Sequence, residues 1–320
     1  MTDRPTTLSP DTPHGAPPSP PVRRVGLLGS GPLCAEIIDL LSGLDADRLA
    51  SACAPRSSGL AIAAVCVNRD GVGGTPDFEV PEGCRICTSY DHVLEDPEVD
   101  VVVEATGSSN YVVASLRAGK DVVAAMPSVA SRLTQVERAL STLGREGRRP
   151  PEFRYGAGAC GGAPIVRQLL DAYRADDVTE VTGVVDPAAA RILRAMAHDA
   201  GLSHEEAREA TRRDPEDGEE EAEETLTARS TLRIVVRLAF GADASVRDIA
   251  AADTSGVTQH DFEYARMLGG TIVPVGRAAV DSTGQVAAYV GPAFIAAHDR
   301  LAQTGAGEVC VEVVAARAGT

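Results

Sequence analysis

Val22-Arg23-Arg24-Val25-Gly26-Leu27-Leu28-Gly29-Ser30-Gly31 runs directly into Pro32-Leu33-Cys34-Ala35-Glu36-Ile37-Ile38-Asp39-Leu40-Leu41. The first part is an apolar run that breaks on glycines, as a buried strand does at its end. The second repeats its apolar residues at helical spacing, so the pair reads as strand, tight turn, helix. Working outward, further apolar runs lie at Leu60–Val67, Arg85–Thr88, Val99–Glu104 and Asp121–Ala125, with a helical pattern over Tyr111–Ala118. Continuous Val, Ile and Ala runs alternating with helices predict a parallel sheet covered on both faces. The first half is therefore expected to be a Rossmann-type, doubly wound α/β domain.

Seven prolines fall within residues 1–21 with no apolar period, so that stretch is expected to be a disordered tail. The charged, proline-broken segment Arg145–Glu152 is the expected domain boundary, giving residues 22–150 and 151–320 as the two domains. The second domain reads as α+β. Its helices are predicted at Pro164–Tyr173, Arg191–Ala200, Ser203–Arg213 and Leu226–Phe240. Its strands are predicted at Val178–Val185, Gln285–Val290 and Val309–Val314. Asp214–Glu224 holds eight carboxylates in eleven residues and reads as a solvated loop.

The whole chain has 320 residues, a formal net charge of −16 and 44% hydrophobic residues. At about 150 residues per domain that suits two domains with their own cores. The acidic balance, the lack of Trp and a total of 6 Tyr and 5 Phe argue against nucleic acid or an anionic membrane as partner. No apolar run nears the ~20 residues of a membrane span, and no export signal is legible, so a cytoplasmic protein is expected. The seven cysteines then read as reduced, mostly buried residues. Cys84 and Cys87 have CxxC spacing but fall in a strand, where residues three apart face opposite ways. No metal site is predicted.

Gly29-Ser30-Gly31 between strand and helix is the context a dinucleotide-binding turn requires. Gly29 permits the tight turn. Gly31, followed by Pro32 and Leu33, lets the backbone approach a pyrophosphate at the positive end of the helix. The third small position is Cys34, which is expected to loosen the helix against the strand. The second strand ends Val67-Asn68-Arg69-Asp70, where Arg69 favours NADP and Asp70 keeps NAD open. Glu104-Ala105-Thr106-Gly107 ends the next strand, placing Thr106 and Gly107 where a nicotinamide half would lie.

With these residues in view, the sequence resembles homoserine dehydrogenase. The resemblance is carried by Asp96–Gly107, Ala118–Ala125, Cys160-Gly-Gly-Ala-Pro-Ile-Val-Arg167, Gly183–Met196, Leu238–Gly241 and Gly256–Gly269, in order and at matching spacing. It implies a Rossmann domain, a catalytic domain with a dimer-forming sheet, hydride transfer with NAD or NADP, and a homodimer acting on a small molecule. The family's reacting groups are replaced, however. Its Asn-Lys pair falls on Met126-Pro127, and its catalytic Asp and Lys fall on Thr227 and Thr231. Its pocket segment becomes Asp186-Pro-Ala-Ala-Ala-Arg191, and its cation-holding glutamate becomes Gly156. Threonine cannot move a proton as lysine does at neutral pH, so poor turnover of homoserine is expected.

Three residues are candidates for new chemistry. Cys160 opens a helix, where the dipole lowers a thiol pKa; this would suit an acylating aldehyde dehydrogenase, whose cysteine turn the segment faintly resembles. His198 and Arg191 lie seven apart on one helix face and are candidates for acid–base work or carboxylate binding. Asp186 is a candidate ligand for an amine or hydroxyl, or a helix start before Pro187. The readings are an oxidoreductase with changed substrate or proton relay, an inactive relative acting by binding, and a Cys160-dependent dehydrogenase.

Overall fold

A computed structural model describes residues 22–43, 59–69, 72–73, 76, 78–147, 149–156, 158–211, 221–305 and 308–319. The proline-rich tail and Asp214–Glu220 lie outside these residues.

The opening run forms β1 (Arg23–Leu28), buried over its last four residues, and α1 (Pro32–Gly43). There follow β2 (Leu60–Cys66), a short β3–β4 hairpin (Asn68–Arg69, Val72–Gly73), β5 (Arg85–Cys87), α2 (Asp91–Leu94), β6 (Val101–Glu104), α3 (Ser109–Arg117) and β7 (Asp121–Ala124). A single-turn segment at Pro127–Arg132 leads into α4 (Leu133–Arg145), whose Leu133, Val136, Ala139 and Leu143 are buried at helical spacing. The six-stranded parallel sheet runs β5-β2-β1-β6-β7-β8, bringing the end of β1 between β2 and β6. Cys84 and Cys87 pack into clusters on opposite faces of this sheet.

The sixth strand is β8 (Phe153–Tyr155). It pairs with β7 through Val122↔Phe153, so the first domain's sheet continues past residue 150. The Pro150-Pro151 step is a connection within that domain.

The second domain comprises α5 (Ile165–Asp171), β9 (Val178–Gly183), α6 (Pro187–His198), α7 (His204–Thr211), α8 (Glu221–Phe240), β10 (Ala250–Ala251), α9 (Gln259–Met267), β11 (Gly270–Val280), β12 (Val286–Ala296), α10 (Arg300–Gln303) and β13 (Val311–Ala315). Its sheet order is β10-β12-β11-β9-β13. The β11–β12 hairpin, paired from Gly270↔Ala296 to Val280↔Val286, is far larger than the short strand expected near Gln285. Pro274 and Gly276 hide β11 in the sequence. Pro274 is tolerated because β9 pairs only with Gly276–Ala279, so at Pro274 the strand has one neighbour and its missing N–H is not needed. Among the described residues no helix is long and apolar enough to cross a membrane.

The two domains meet along α8. Its Ile234 packs with Ala130, Leu133 and Ala159, and Arg237 forms an ion pair with Glu137 of α4.

Candidate active site

The loop from β1 to α1 is shaped by what it lacks. Gly29 has φ +137°, and a Cβ there would meet Cys34 Sγ at 2.7 Å. Its N–H donates to the Cys66 carbonyl at 3.0 Å, fixing the turn to the neighbouring strand. At Gly31 a Cβ would meet nothing within 4 Å, so the space over the start of α1 is open. Pro32 occupies the first helical position, where no N–H is required. Leu33 is exposed beside it. Cys34 does not loosen the helix. It is 1% exposed and packs with Leu27, Ile38, Val65 and Val67, and burial pushes its thiol pKa up to about 11. Arg69 belongs to β3, but its side chain and Asp70 lie outside the described residues.

Across β1, the carboxyl end of β6 carries a residue that the sequence reading passed over. Glu104 is 1% exposed. Its Oε1 accepts the N–H of Thr106 at 2.7 Å, the N–H of Ser108 at 3.3 Å, and the Thr106 hydroxyl. Burial raises the Glu104 pKa despite these donors. The carboxylate thereby organises the loop containing Thr106 and Gly107, and Gly107 has φ +81°. Ser128 Oγ donates to the Gly107 carbonyl at 2.9 Å, tying this loop to the turn that follows β7. An acid closing a Val-Val-Val strand, followed at once by small hydrogen-bond donors, was the available signal.

Pro127 is buried and opens the turn after β7. The Gly158 N–H reaches back to the Ala125 carbonyl at 3.0 Å, so the start of the second domain lies against this turn. Thr231 of α8 is 1% exposed and Thr227, one turn earlier, is half-buried; Ile234 and Leu238 continue the same face. Gly156 has φ +86°, and a Cβ there would meet Val166 Cγ2 at 2.8 Å. A glutamate at that position would require the turn to be rebuilt. Among the described residues no group of three metal-ligating side chains converges.

The three candidates for new chemistry are not brought together. Cys160 is 1% exposed, and burial pushes its thiol up to about 12. Desolvation in the core works against the activated thiolate expected from the helix start. Cys160 also stands at φ 54°, a strained conformation for a residue with a Cβ. Asp186 caps α6, its Oδ1 accepting from Ala188 and Ala189 N–H at 3.0 Å each. Burial raises the Asp186 pKa, and the nearby Arg191 partly opposes this. Arg191 keeps a buried Nε without a hydrogen-bond partner. His198 is exposed at the far end of α6, where it lines a separate cleft with Arg194.

A parallel sheet with a Gly-Ser-Gly turn after β1, joined to an α+β domain through α8, defines a Rossmann-type two-domain protein. The homoserine dehydrogenase family model matches residues 164–320. The chain is 26% identical to homoserine dehydrogenase of Bacillus subtilis over 234 residues, covering 70% of this chain and 52% of that protein. It is also 26% identical to the Mycobacterium leprae enzyme over 310 residues, 92% of this chain and 66% of the relative. The homoserine dehydrogenase structure from Thiobacillus denitrificans superposes with a TM-score of 0.77 at 23% identity, covering 93% of this chain and 67% of that one. The match to the family model falls on the second domain, while the likeness to whole homoserine dehydrogenases runs through both. It spans about half the length of the Bacillus relative.

Proposed function

We propose that this protein is a nucleotide-dependent oxidoreductase that acts on an amino-acid semialdehyde or the corresponding alcohol, with little turnover of homoserine itself. The observation that carries the reading is the β1–α1 turn. Gly29 is held in a conformation reserved for glycine, and the space over Gly31 is clear. Backbone N–H groups at the head of α1 suit a pyrophosphate, and Thr106 and Gly107 stand at the next strand end, where the nicotinamide half would lie. NADP is favoured over NAD on the strength of Arg69 in β3, shortly after the second strand. The family resemblance supports a homodimer, and the sequence supports a cytoplasmic location.

When bound, the nicotinamide supplies or accepts the hydride. The chain must then hold the hydroxyl proton, and neither Pro127 nor Thr231 has a group for that. Asp186 is our assignment for the task. Its Oδ1 is tied to two backbone amides, and burial has already moved it toward the protonated form. Arg191, with its unpartnered Nε, is assigned to the substrate carboxylate. Asp186→Asn keeps a capping side chain, so stability should change by less than about 1 kcal/mol while turnover falls at least a hundredfold.

The test is consumption of NADPH or NADH with a panel of amino-acid semialdehydes. Saturable turnover of one of them, with homoserine oxidation at background, supports the reading; saturable homoserine oxidation contradicts it. A second reading, an inactive relative that acts by binding, is favoured by the burial of Thr231 where the family carries a reacting group. Nucleotide binding without turnover of any carbonyl in the panel would select it. The Cys160-dependent reading is disfavoured by the burial of that thiol.

A further inference from the structure

A cleft of about 280 Å³ lies on the C-terminal half of α6, and none of its lining belongs to the turn, the Glu104 loop or the Asp186–Arg191 pair. That volume is at the small end of the ~300–1,000 Å³ of typical ligand pockets. Arg194 and His198 are four residues apart on the helix, so their side chains share one face and both line the cleft. The lining also takes in the apolar Ile272 of β11 and Leu301 of α10 and the hydroxyl residues Thr271 and Thr304.

The charge of this cleft runs against that of the chain. The formal net charge is −16, yet among the described residues no Asp or Glu lines the cleft. Among the described residues Arg194 has no ion pair, and its Nη2 reaches only the Ala302 carbonyl at 3.5 Å, the long limit of a hydrogen bond. A second guanidinium flanks the rim, since Arg266 donates to the carbonyl of the lining residue Ala197 at 2.9 Å. Two carboxylates are tied to the backbone of lining residues: Glu308 accepts the Gly305 N–H at 2.6 Å, and Asp299 accepts the Leu301 N–H at 2.8 Å.

We propose that this cleft binds a small carboxylate-bearing molecule with a short apolar body. The carboxylate is held by the Arg194 guanidinium with His198 beside it, and the body lies over Ile272 and Leu301. A guanidinium fork matches a planar carboxylate in two parallel hydrogen bonds. These apolar side chains discriminate against compact inorganic anions, which would leave them in contact with water. This proposal stands apart from the oxidoreductase reading and does not depend on it.

The experiment is a titration of the full-length, histidine-labelled protein with isobutyrate, followed by the NMR signal of the His198 ring, which His198→Gln identifies by its disappearance. The expected result is a saturable shift with Kd near ~1 mM. Arg194→Gln should weaken it roughly tenfold or more, the worth of one charge-assisted pair. Calorimetry on His198→Gln, at an exposed helix end, supplies a second variant and should also show weaker binding. No saturable response, equal affinity in both variants and the unsubstituted protein, or inorganic phosphate bound as tightly as isobutyrate would each overturn the proposal.

Discussion

The loop between β1 and α1 and the face of α8 that looks onto Pro127–Arg132 are built in opposite ways. The loop holds space open, with Gly29 in a glycine-only conformation and nothing near Gly31. The face of α8 is filled, with Thr231 buried and Ile234 packed against Ala130 and Ala159. Binding a phosphate chain through backbone N–H groups needs room and little else. Proton transfer needs a titratable group at the reacting atom, and threonine does not provide one. The two requirements are separable, so a turn of this shape can stand beside a filled helix face.

The comparison breaks most visibly at Thr231. Thr231→Lys, which restores the family's residue type, places an ammonium at a position 1% exposed; it should cost about 3 kcal/mol or more in denaturant unfolding. Unchanged stability would mean that this face of α8 borders an open cleft. Next comes the pair Gly29→Ala and Gly31→Ala. The first is strained at φ +137° and meets Cys34 Sγ at 2.7 Å, and should cost about 2–3 kcal/mol. The second meets nothing and should leave stability within about 0.5 kcal/mol, while weakening NADPH roughly tenfold by standing where the pyrophosphate approaches. Equal stability losses from both would contradict the geometry of the turn.

Arg69→Ala sharpens the binding half. NADPH affinity should fall about tenfold, as expected for loss of one charged contact to a phosphate, with NADH unchanged. Equal losses for both nucleotides would remove the preference for NADP. The smallest effect concerns Glu104. Burial raises its folded pKa above the usual 4.5, so between those two values the folded state holds more protons than the unfolded state. Stability then falls as pH rises through that window, by at most about 1.4 kcal/mol per pH unit for one proton. The difference between the unfolding profiles of the unsubstituted protein and Glu104→Gln should show this downward slope. A difference that rises with pH would mean that the hydrogen bonds from Thr106 and Ser108 outweigh burial.

Where local pattern and tertiary environment agree, the sequence is easily read. The run through β1 into α1 is apolar, breaks on glycine and resumes at helical spacing as its buried strand and helix require, and the parallel sheet follows from the continuous apolar runs at β2, β6 and β7. β11 escaped notice because Pro274 and Gly276 are strand breakers in isolation. Their acceptability depends on which half of β11 has a second neighbour, a fact about sheet order. β8 was hidden for a related reason, since Phe153–Tyr155 is too short to show a period and is fixed by pairing to β7. At the site, the glycine turn was legible because glycine's role is local. Glu104 was not, because an acid at a strand end usually meets water, and only the loop folding back over it supplies its donors. Cys160 combines the two: its position at a helix start is local, while its burial is not.

The shape of the β1–α1 turn predicts a working nucleotide site. A fluorescence titration of the purified protein with NADPH and with NADH tests this most directly. Saturable binding in the micromolar range, tighter for NADPH, is the predicted result. Failure of both nucleotides to bind would contradict the claim and leave a Rossmann-type domain that does not use its turn.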